Sequence, residues 1–420
     1  MEKVIENKKV NLKELVLYKD YMLLFIANFI SRFGDSIDAI AYSYMVYELT
    51  GSKMIMGGLF AVNFIPNIVL SPFAGVIADR FNKKRLIAMG YLGRGIMVSI
   101  TALMLATNIL KPWHLFAFTF INSTFETLMS PATMSILPLI ITEDMYLTAN
   151  SFSNSAFKFA ELLGTAMAGV FIALMGTSGA IFIDGATFFI AFSIISFMRV
   201  KGDKISKEKI EVKAYINDIK EGFNFVKNDY LIRTVLILFA LMNFCLSPIN
   251  VLMPAFVSEN LKAEASVLSL IESAIIIGMI LGGVAVASIG SKVKGHTLMS
   301  WGMIIFGLSY SLLYFPGNIL SPGIYSTALS TFAGFFLGFM IPFTTSPMTT
   351  KIMINTEKTM MGRVGAFMTM VSCCAIPLGS SITGTITELL PMTTIFAIMG
   401  GIIILLGIRA KVNNKLKEAA

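Results

Sequence analysis

The chain has 420 residues, of which 55% are hydrophobic and 14% are charged, with a formal net charge of +8. Soluble globular domains carry roughly 25% charged residues, so this composition excludes that class and indicates a membrane protein. It also argues against a nucleic-acid binder, because the Lys and Arg residues lie between apolar runs and not on one basic face.

Apolar runs bounded by charges, Pro or Gly predict twelve membrane spans. A span needs roughly 20 apolar residues to cross about 30 Å of hydrocarbon, so a chain of this length has room for about a dozen. The first run is too long for a signal-peptide core and lacks a small-residue cleavage site, so we expect it to stay as a span. The predicted spans are 21–48, 54–77, 86–106, 113–139, 151–175, 178–198, 231–257, 267–289, 297–315, 320–345, 362–388 and 391–410.

The basic residues predict the orientation of these spans. If the N-terminus is cytoplasmic, 26 of the 33 Lys and Arg residues fall on the inner side. Only Lys53, Lys111 and Lys262 fall on the outer side, and the remaining basic residues lie within spans. By the positive-inside rule we expect both termini in the cytoplasm.

Span 1 carries polar side chains along one face. At about 100° per residue, its polar residues fall within about 120° of arc. They are Asn28, Ser31, Arg32, Asp35, Asp38 and Tyr42. An ionised side chain at bilayer depth costs about 2.5 to 3.5 kcal/mol on the insertion scale, so we expect this face to line a cavity between two bundles. The alternative is that Arg32 and Asp35 form a buried ion pair that only fixes packing.

The short link after span 2 reads GVIADRFNKKR at residues 75–85. Its residues of interest are Gly75, Asp79, Arg80, Lys83, Lys84 and Arg85. We expect Asp79 to meet the positive N-terminus of a helix from the other half, as a conformational latch. The basic cluster is expected to anchor the loop at the anionic inner leaflet, or only to set topology.

Further charges lie within spans and extend the predicted cavity. We expect Asp35 or Asp38, with Glu126 of span 4, to be protonatable groups there, and Arg32 or Arg94 to influence their ionisation. The candidate substrate contacts are Asn28, Ser31, Tyr42 and Asn122.

Other intramembrane residues have structural interpretations. Lys158 and Glu161, three residues apart, are expected to neutralise each other. Asp184 is as consistent with a structural cap as with transport, and the depth of Glu272 is left open. Small pairs four residues apart, Gly278 with Gly282 and Gly164 with Ala168, predict close helix contacts.

The longest link divides the chain into two sets of six spans. It is charged at first and then amphipathic, with Ile216, Ile219, Phe223 and Val226 predicting a helix on the inner membrane surface. We therefore predict an all-α membrane protein with twelve transmembrane helices in two pseudo-symmetric six-helix bundles. The predicted parts are an N-terminal segment 1–20, a bundle 21–198, a linker 199–229, a bundle 230–410 and a tail 411–420.

Several stretches together resemble the major facilitator superfamily. GVIADRFNKKR is similar to the signature loop between helices 2 and 3 of that superfamily. FGDSIDAIAYSYMVYELTGS at 33–52, SPATMSILPLI at 130–140, FIDGATFF at 182–189 and NDIKEGFNFVKND at 217–229 resemble its branch of macrolide-efflux permeases and enterobactin-exporter-like proteins. The resemblance implies a transporter fold of two six-helix bundles.

Two positions depart from the drug:proton antiporters of that superfamily. Many of them carry an Arg in span 4, where this chain has Asn122. Many have a Gly-Pro pair in span 5, where this chain has Thr165 in place of Pro.

The expected function is export of a small hydrophobic or amphipathic compound against proton entry, in the cytoplasmic membrane of a bacterium. No G-x-x-x-x-G-K-[ST] loop occurs, so we expect no direct use of ATP. His114 and His296 are the only histidines and lie near span ends, so we expect no metal, cofactor or enzymatic reaction. The expected partners are the substrate, protons and lipid, with no nucleic acid, and we expect a monomer. Proton-coupled uptake, and an uncoupled lipid-moving or ligand-sensing protein, are the alternatives.

Overall fold

The computed structural model describes residues 12–142, 145–200, 220–221, 223–289, 293–356 and 361–413, and these are almost entirely helical. The helices are α1 (Leu12–Leu15), α2 (Lys19–Thr50), α3 (Lys53–Arg80), α4 (Lys83–Ala106), α5 (Pro112–Ile140), α6 (Tyr146–Ser196), α7 (Tyr230–Glu259), α8 (Ala265–Ile289), α9 (Gly295–Leu312), α10 (Ile324–Asn355), α11 (Met361–Ile386) and α12 (Met392–Val412). Within these ranges the one β feature is an isolated bridge between Pro316 and Leu320. The predicted all-α class is confirmed.

Helix α6 contains two spans. Its 51 residues would extend about 77 Å as a straight helix, far more than the hydrocarbon thickness. The helix breaks at Gly176, whose φ of 73° and ψ of 172° are accessible essentially only to Gly. The arms 146–175 and 177–196, with α2–α5 and α7–α12, account for the twelve predicted spans.

Length and apolarity alone identify only part of this set. Seven of the described helices meet both criteria for crossing a membrane. Helix α2 does not, because Arg32, Asp35 and Asp38 interrupt its apolar sequence. Helix α2 is one of several described helices that these criteria miss, and it is the one whose polar face was predicted to line a cavity.

The link at 75–85 is more helical than its composition predicts. Helix α3 continues to Arg80 and α4 begins at Lys83, where spans 2 and 3 were predicted to end at 77 and begin at 86. The difference arises because the Asn82 side chain caps α4 by accepting a hydrogen bond from the Arg85 amide at 2.9 Å.

The basic cluster of this link lies against the first half of the chain. Lys84 Nζ donates hydrogen bonds to the carbonyls of Ser196 at 2.8 Å and Met198 at 2.7 Å, at the C-terminal end of α6. A cation is favourable there because it faces the negative end of the helix dipole. Lys83 is buried and Arg85 is exposed. The side chain of Asp79 lies outside the described residues.

Two helix pairs make most of the contact between the halves of the molecule, α3 with α11 and α6 with α8. A Cβ added at Gly57 would lie 2.4 Å from the Ser380 carbonyl oxygen, and one at Gly169 would lie 2.6 Å from Ser266 Cα. The two halves therefore approach to backbone contact near the end of the bundle that carries Gly51 and Glu259. We call this end the closed end.

Small residues also set the packing within each half. A Cβ at Gly278 or Gly282 would lie 2.1 Å from a carbonyl oxygen of α10, and a Cβ at Gly164 would lie 2.4 Å from the Phe33 carbonyl oxygen. Ala168 is fully buried. The predicted helix contacts at these small pairs are confirmed.

The amphipathic part of the central link is described only at its end. Ile216 and Ile219 lie outside the described residues, whereas 223–228 is helical. Phe223 is exposed and Val226 packs into the core, so successive faces of this short helix meet different surroundings.

Candidate functional site

A cavity of about 620 Å³ lies between the two halves, directly beneath the closed end. The wall contributed by the second half is apolar except for Asn250 and Glu272. The wall contributed by the first half is rich in polar side chains: Arg32, Asp35, Ser36, Asp38, Tyr42, Ser43, Asn63, Thr101, Thr119, Asn122, Glu161 and Thr165. The cavity is therefore amphipathic, with a polar wall from the first half facing an apolar wall from the second.

An ion pair between Asp35 and Arg94 stands at the polar wall. Arg94 Nη2 donates to Asp35 Oδ1 at 2.7 Å, and the two side chains are 7% and 25% exposed, respectively. Ser31 Oγ donates to Asp35 Oδ2 at 3.4 Å, while Arg94 Nε donates to Asn122 Oδ1 at 3.3 Å. Helices α2, α4 and α5 thus converge on one desolvated pair, of which the carboxylate is the member that faces the cavity.

Aromatic and acidic groups of α6 complete the surroundings of the guanidinium. Arg94 lies over the Phe188 ring at 4.3 Å from its centroid, and it interacts electrostatically with Asp184. Asp184 is almost fully buried and accepts a hydrogen bond from Thr187 Oγ1 at 3.3 Å. A side chain at Gly34 would collide with Asp184 and Thr187, so this Gly lets α6 bring its carboxylate close to α2.

Asp38 lies one turn beyond Asp35 on the same face of α2 and also lines the cavity. Its Oδ1 atom is buried and has no hydrogen-bond partner among the described residues. A buried acceptor without a partner is costly, so this atom is poised to interact with a proton or a ligand group.

The structure divides the four predicted substrate contacts into two pairs. Tyr42 and Asn122 line the cavity, and the Tyr42 hydroxyl hydrogen bonds with Thr119 Oγ1 at 2.7 Å. Asn28 and Ser31 do not line it. Asn28 lies nearer the N-terminal end of α2, where Tyr91 donates a 2.5 Å hydrogen bond to its Oδ1 atom.

Two of the predicted charged residues lie differently from the expectation. Glu126 is exposed and is not part of the cavity wall, because it stands one helical turn beyond Asn122 along α5. Arg32 lines the cavity but forms no ion pair within the described part of the chain. Asp35 pairs with Arg94 of α4 and not with Arg32, so the alternative of a local Arg32 to Asp35 pair is wrong.

The structure also explains the departure at Asn122. Asn122 lines the cavity but carries no charge, and its amide oxygen accepts a hydrogen bond from Arg94 Nε and helps to hold Arg94 beside Asp35. The cation therefore reaches the polar wall from α4 and not from α5. On α6, Lys158 Nζ pairs with Glu161 Oε2 at 2.9 Å, which confirms the expected neutralisation of these two charges.

At the closed end, three side chains link the halves, and we call them the clasp: Tyr47 and Lys53 of the first half and Glu259 of the second. Lys53 Nζ lies 2.7 Å from Glu259 Oε2, and the Tyr47 hydroxyl donates to Glu259 Oε1. Lys53 and Glu259 are 21% and 41% exposed, so solvent screens the pair and limits its strength. The clasp therefore adds a modest increment to the Gly57 and Gly169 backbone contacts.

Substitution of Lys53 by Met should loosen the closed end slightly. An exposed ion pair contributes about 0.2 to 1 kcal/mol, so we expect amide hydrogen exchange in residues 50–60 to accelerate by about 1.4- to 5-fold. The matched control is Lys262→Met, which removes an exposed cation from the link between α7 and α8. Equal acceleration in both variants would mean that the clasp contributes nothing to closure.

Sequence analysis left Asp184 open between a structural cap and transport, did not name Phe188, and placed neither residue beside Arg94. Phe188 and Asp184 are four residues apart, which places them on one face of a helix, and an acid in an apolar span is itself a functional signal. That combination could have placed Asp184 with the cavity charges. The sequence contains no signal that indicates which helix this face meets.

Comparisons with known proteins agree with this architecture. The family model described as Major Facilitator Superfamily matches residues 24–380. Macrolide efflux protein A of Streptococcus pyogenes is 21% identical over 391 residues, which cover 93% of this chain and 94% of that protein. The multidrug efflux pump Tap of Mycolicibacterium fortuitum is 22% identical over 403 residues, covering 94% and 96%.

Solved structures with the same fold include a mutant form of the nucleoside transporter NupG. It matches with a TM-score of 0.76 at 15% identity and covers 93% of this chain and 99% of its own. The relatives are transporters and not enzymes, and they are bacterial, which indicates a multi-pass protein of the cell membrane. The resemblance noted in the sequence is confirmed, and the chain belongs to the major facilitator superfamily.

Proposed function

We propose that this transporter exports a small hydrophobic or amphipathic compound, of the macrolide or multidrug kind, in exchange for protons. The observation that carries the proposal is the Asp35 to Arg94 pair, a titratable carboxylate held beside a buried cation on the wall of a cavity between two halves. The names of the relatives, macrolide efflux protein and multidrug efflux pump, support this direction and this class of cargo.

The proposed site has room for such a cargo. A volume of about 620 Å³ falls within the usual range for ligand pockets, roughly 300 to 1,000 Å³. Its apolar wall suits the body of a hydrophobic molecule, while Tyr42 and Asn122 offer hydrogen-bonding groups opposite. Because one chain supplies both walls, we propose that a monomer is the functional unit.

Proton coupling follows from the charge balance of the pair. With Asp35 ionised, its attraction to Arg94 holds α2 against α4. A proton on Asp35 removes that attraction, and Arg94 then keeps its contacts with Asn122, Phe188 and Asp184. Protonation thereby changes how α2 packs, and α2 also carries Tyr47 of the clasp. We propose that this change biases the equilibrium between two conformations, one with the contacts of the closed end formed and one with them separated.

The proposed orientation places both termini in the cytoplasm, because the basic residues concentrate on that side. The closed end then faces the outside of the cell, and the cavity is reached from the cytoplasm. Release outward requires the clasp and the α3 to α11 and α6 to α8 contacts to separate. In this scheme Asp79 remains the proposed latch at the opposite end.

The electrical driving force is adequate for export. One proton moving down 100 mV releases about 2.3 kcal/mol. At about 1.4 kcal/mol per tenfold, this supports roughly forty- to fiftyfold accumulation of a neutral cargo.

The test of the proposal is transport of a radiolabelled macrolide in membrane vesicles from a pump-deficient host. We expect energised inverted vesicles with the protein to accumulate the label, and an uncoupler to abolish accumulation. The control is the same preparation without the protein. Accumulation only in right-side-out vesicles would assign proton-coupled uptake instead, and accumulation that ignores the uncoupler would exclude proton coupling.

A further inference from the structure

The two walls of the cavity differ in their charge as well as their polarity. The polar wall contains both acids and a base of the first half. The wall of the second half has a single ionisable residue, Glu272 of α8, among apolar side chains such as Ile275, Ile276 and Met279. The described lining from the second half includes no Lys or Arg.

Glu272 has no counter-ion among the described residues. It makes no hydrogen bond or ion pair within the part of the chain that the structure describes, although it is half-buried. The ionisable neighbour that acts on it is Glu161, another acid, which is already paired with Lys158 at 2.9 Å. A carboxylate kept in apolar surroundings without a partner is costly, and natural sequences rarely retain one in a membrane span without a use.

A carboxylate in this position has a specific chemical preference. A cation attached to a hydrophobic body can pair with Glu272 while its apolar part covers Ile276 and Met279. A neutral compound gains only the apolar contact with Ile276 and Met279. Glu272 offers its carboxylate to the cavity between the halves, where a cargo would bind.

We propose that Glu272 is the anchor for a protonated amine or other organic cation on the cargo, so that hydrophobic cations are the preferred substrate class. This inference rests on the proposed transport function and deepens it, because it assigns the two sides of the cavity to different tasks. Asp35 with Arg94 responds to protons on the first half, while Glu272 selects the charge of the cargo on the second.

Binding to the purified full chain in detergent tests the proposal. The probes are tetraphenylphosphonium, a permanent cation, and triphenylphosphine oxide, a neutral molecule with a similar body. In Glu272→Gln we expect the Kd for the cation to rise by about tenfold or more, because a charged partner is lost, and the Kd for the neutral probe to change less than about twofold. Glu272→Asp should restore part of the cation affinity.

The matched control is Glu264→Gln, which removes an exposed carboxylate just before α8 and outside the cavity wall. We expect this variant to bind both probes as the original chain does. Unchanged binding of the neutral probe also shows that Glu272→Gln has folded.

Three results would overturn the assignment of Glu272. They are equal weakening of both probes, unchanged cation binding in Glu272→Gln, and no cation binding by the original chain. Equilibrium binding in detergent needs neither a gradient nor a direction of transport. Failure of the export proposal would appear in the vesicles, whereas failure of the cation anchor would appear in this binding comparison.

Discussion

Replacement of Asp35 by Asn should abolish uphill transport while leaving downhill exchange of the cargo. Asn keeps the shape of the side chain but cannot take up or release a proton, so the proposed coupling step is lost. We expect energised accumulation in vesicles to fall from the roughly forty- to fiftyfold that one proton supports to about onefold, a loss of about 2.3 kcal/mol of driving force. Counterflow of labelled cargo against unlabelled cargo should persist, because it requires binding and rocking without net proton movement.

Two controls separate this outcome from a folding defect. Glu48→Gln removes an exposed carboxylate from the same helix, outside the cavity wall, and should transport normally. The loss of one partner of a buried ion pair typically costs about 3 to 5 kcal/mol of stability, so the amount of folded Asp35→Asn protein must be measured by size-exclusion chromatography. Full uphill accumulation by folded Asp35→Asn protein would exclude Asp35 from proton coupling.

Substitution of Gly282 by Ala should destabilise the second half strongly, while the same change at the next residue should not. A Cβ at Gly282 would lie 2.1 Å from the Phe339 carbonyl oxygen of α10, and backbone cannot move aside without separating the two helices. A Cβ at Gly283 meets nothing within 4 Å. Overpacking typically costs about 1 to 3 kcal/mol, whereas Ala in an open helical position is favoured over Gly by about 0.5 to 1 kcal/mol.

Thermal unfolding of the purified variants measures this pair of effects. We expect the Tm of Gly282→Ala to fall by several degrees and the Tm of Gly283→Ala to stay constant or rise. Because the two residues are neighbours on α8, their sequence context and their helix propensity are nearly the same. Equal Tm values for the two variants would contradict the close contact between α8 and α10.

The twelve-span fold was predictable because it depends on local properties of the sequence. Apolar length places the spans, and the positions of the basic residues predict the side of each link. The position of the break in α6 was also visible, since Gly176 begins the short link between spans 5 and 6. The C-terminal end of α3 and the start of α4 were harder to predict from the sequence. There the cap by Asn82 lets helix α4 begin within a polar stretch.

The site was predictable only as far as one helix determines it. Helical periodicity placed Asp35 and Asp38 on one face of α2, and both line the cavity. The periodicity of one helix does not indicate which residue of a neighbouring helix it meets, so the choice of Arg94 over Arg32 as the partner of Asp35 required the structure. The same limit explains Asn28, which lies on the predicted face but bonds with Tyr91 and does not line the cavity.

The hydrogen bonds of Lys84 determine how the first half can move. They join the start of α4 to the end of α6, and the two-residue link at Phe81 and Asn82 ties α3 to the same point. Relative sliding of these helices at that end would break charge-assisted bonds without replacement. We therefore expect the three helices to tilt together, which would carry a displacement of the basic cluster along α3 to Lys53 at its far end.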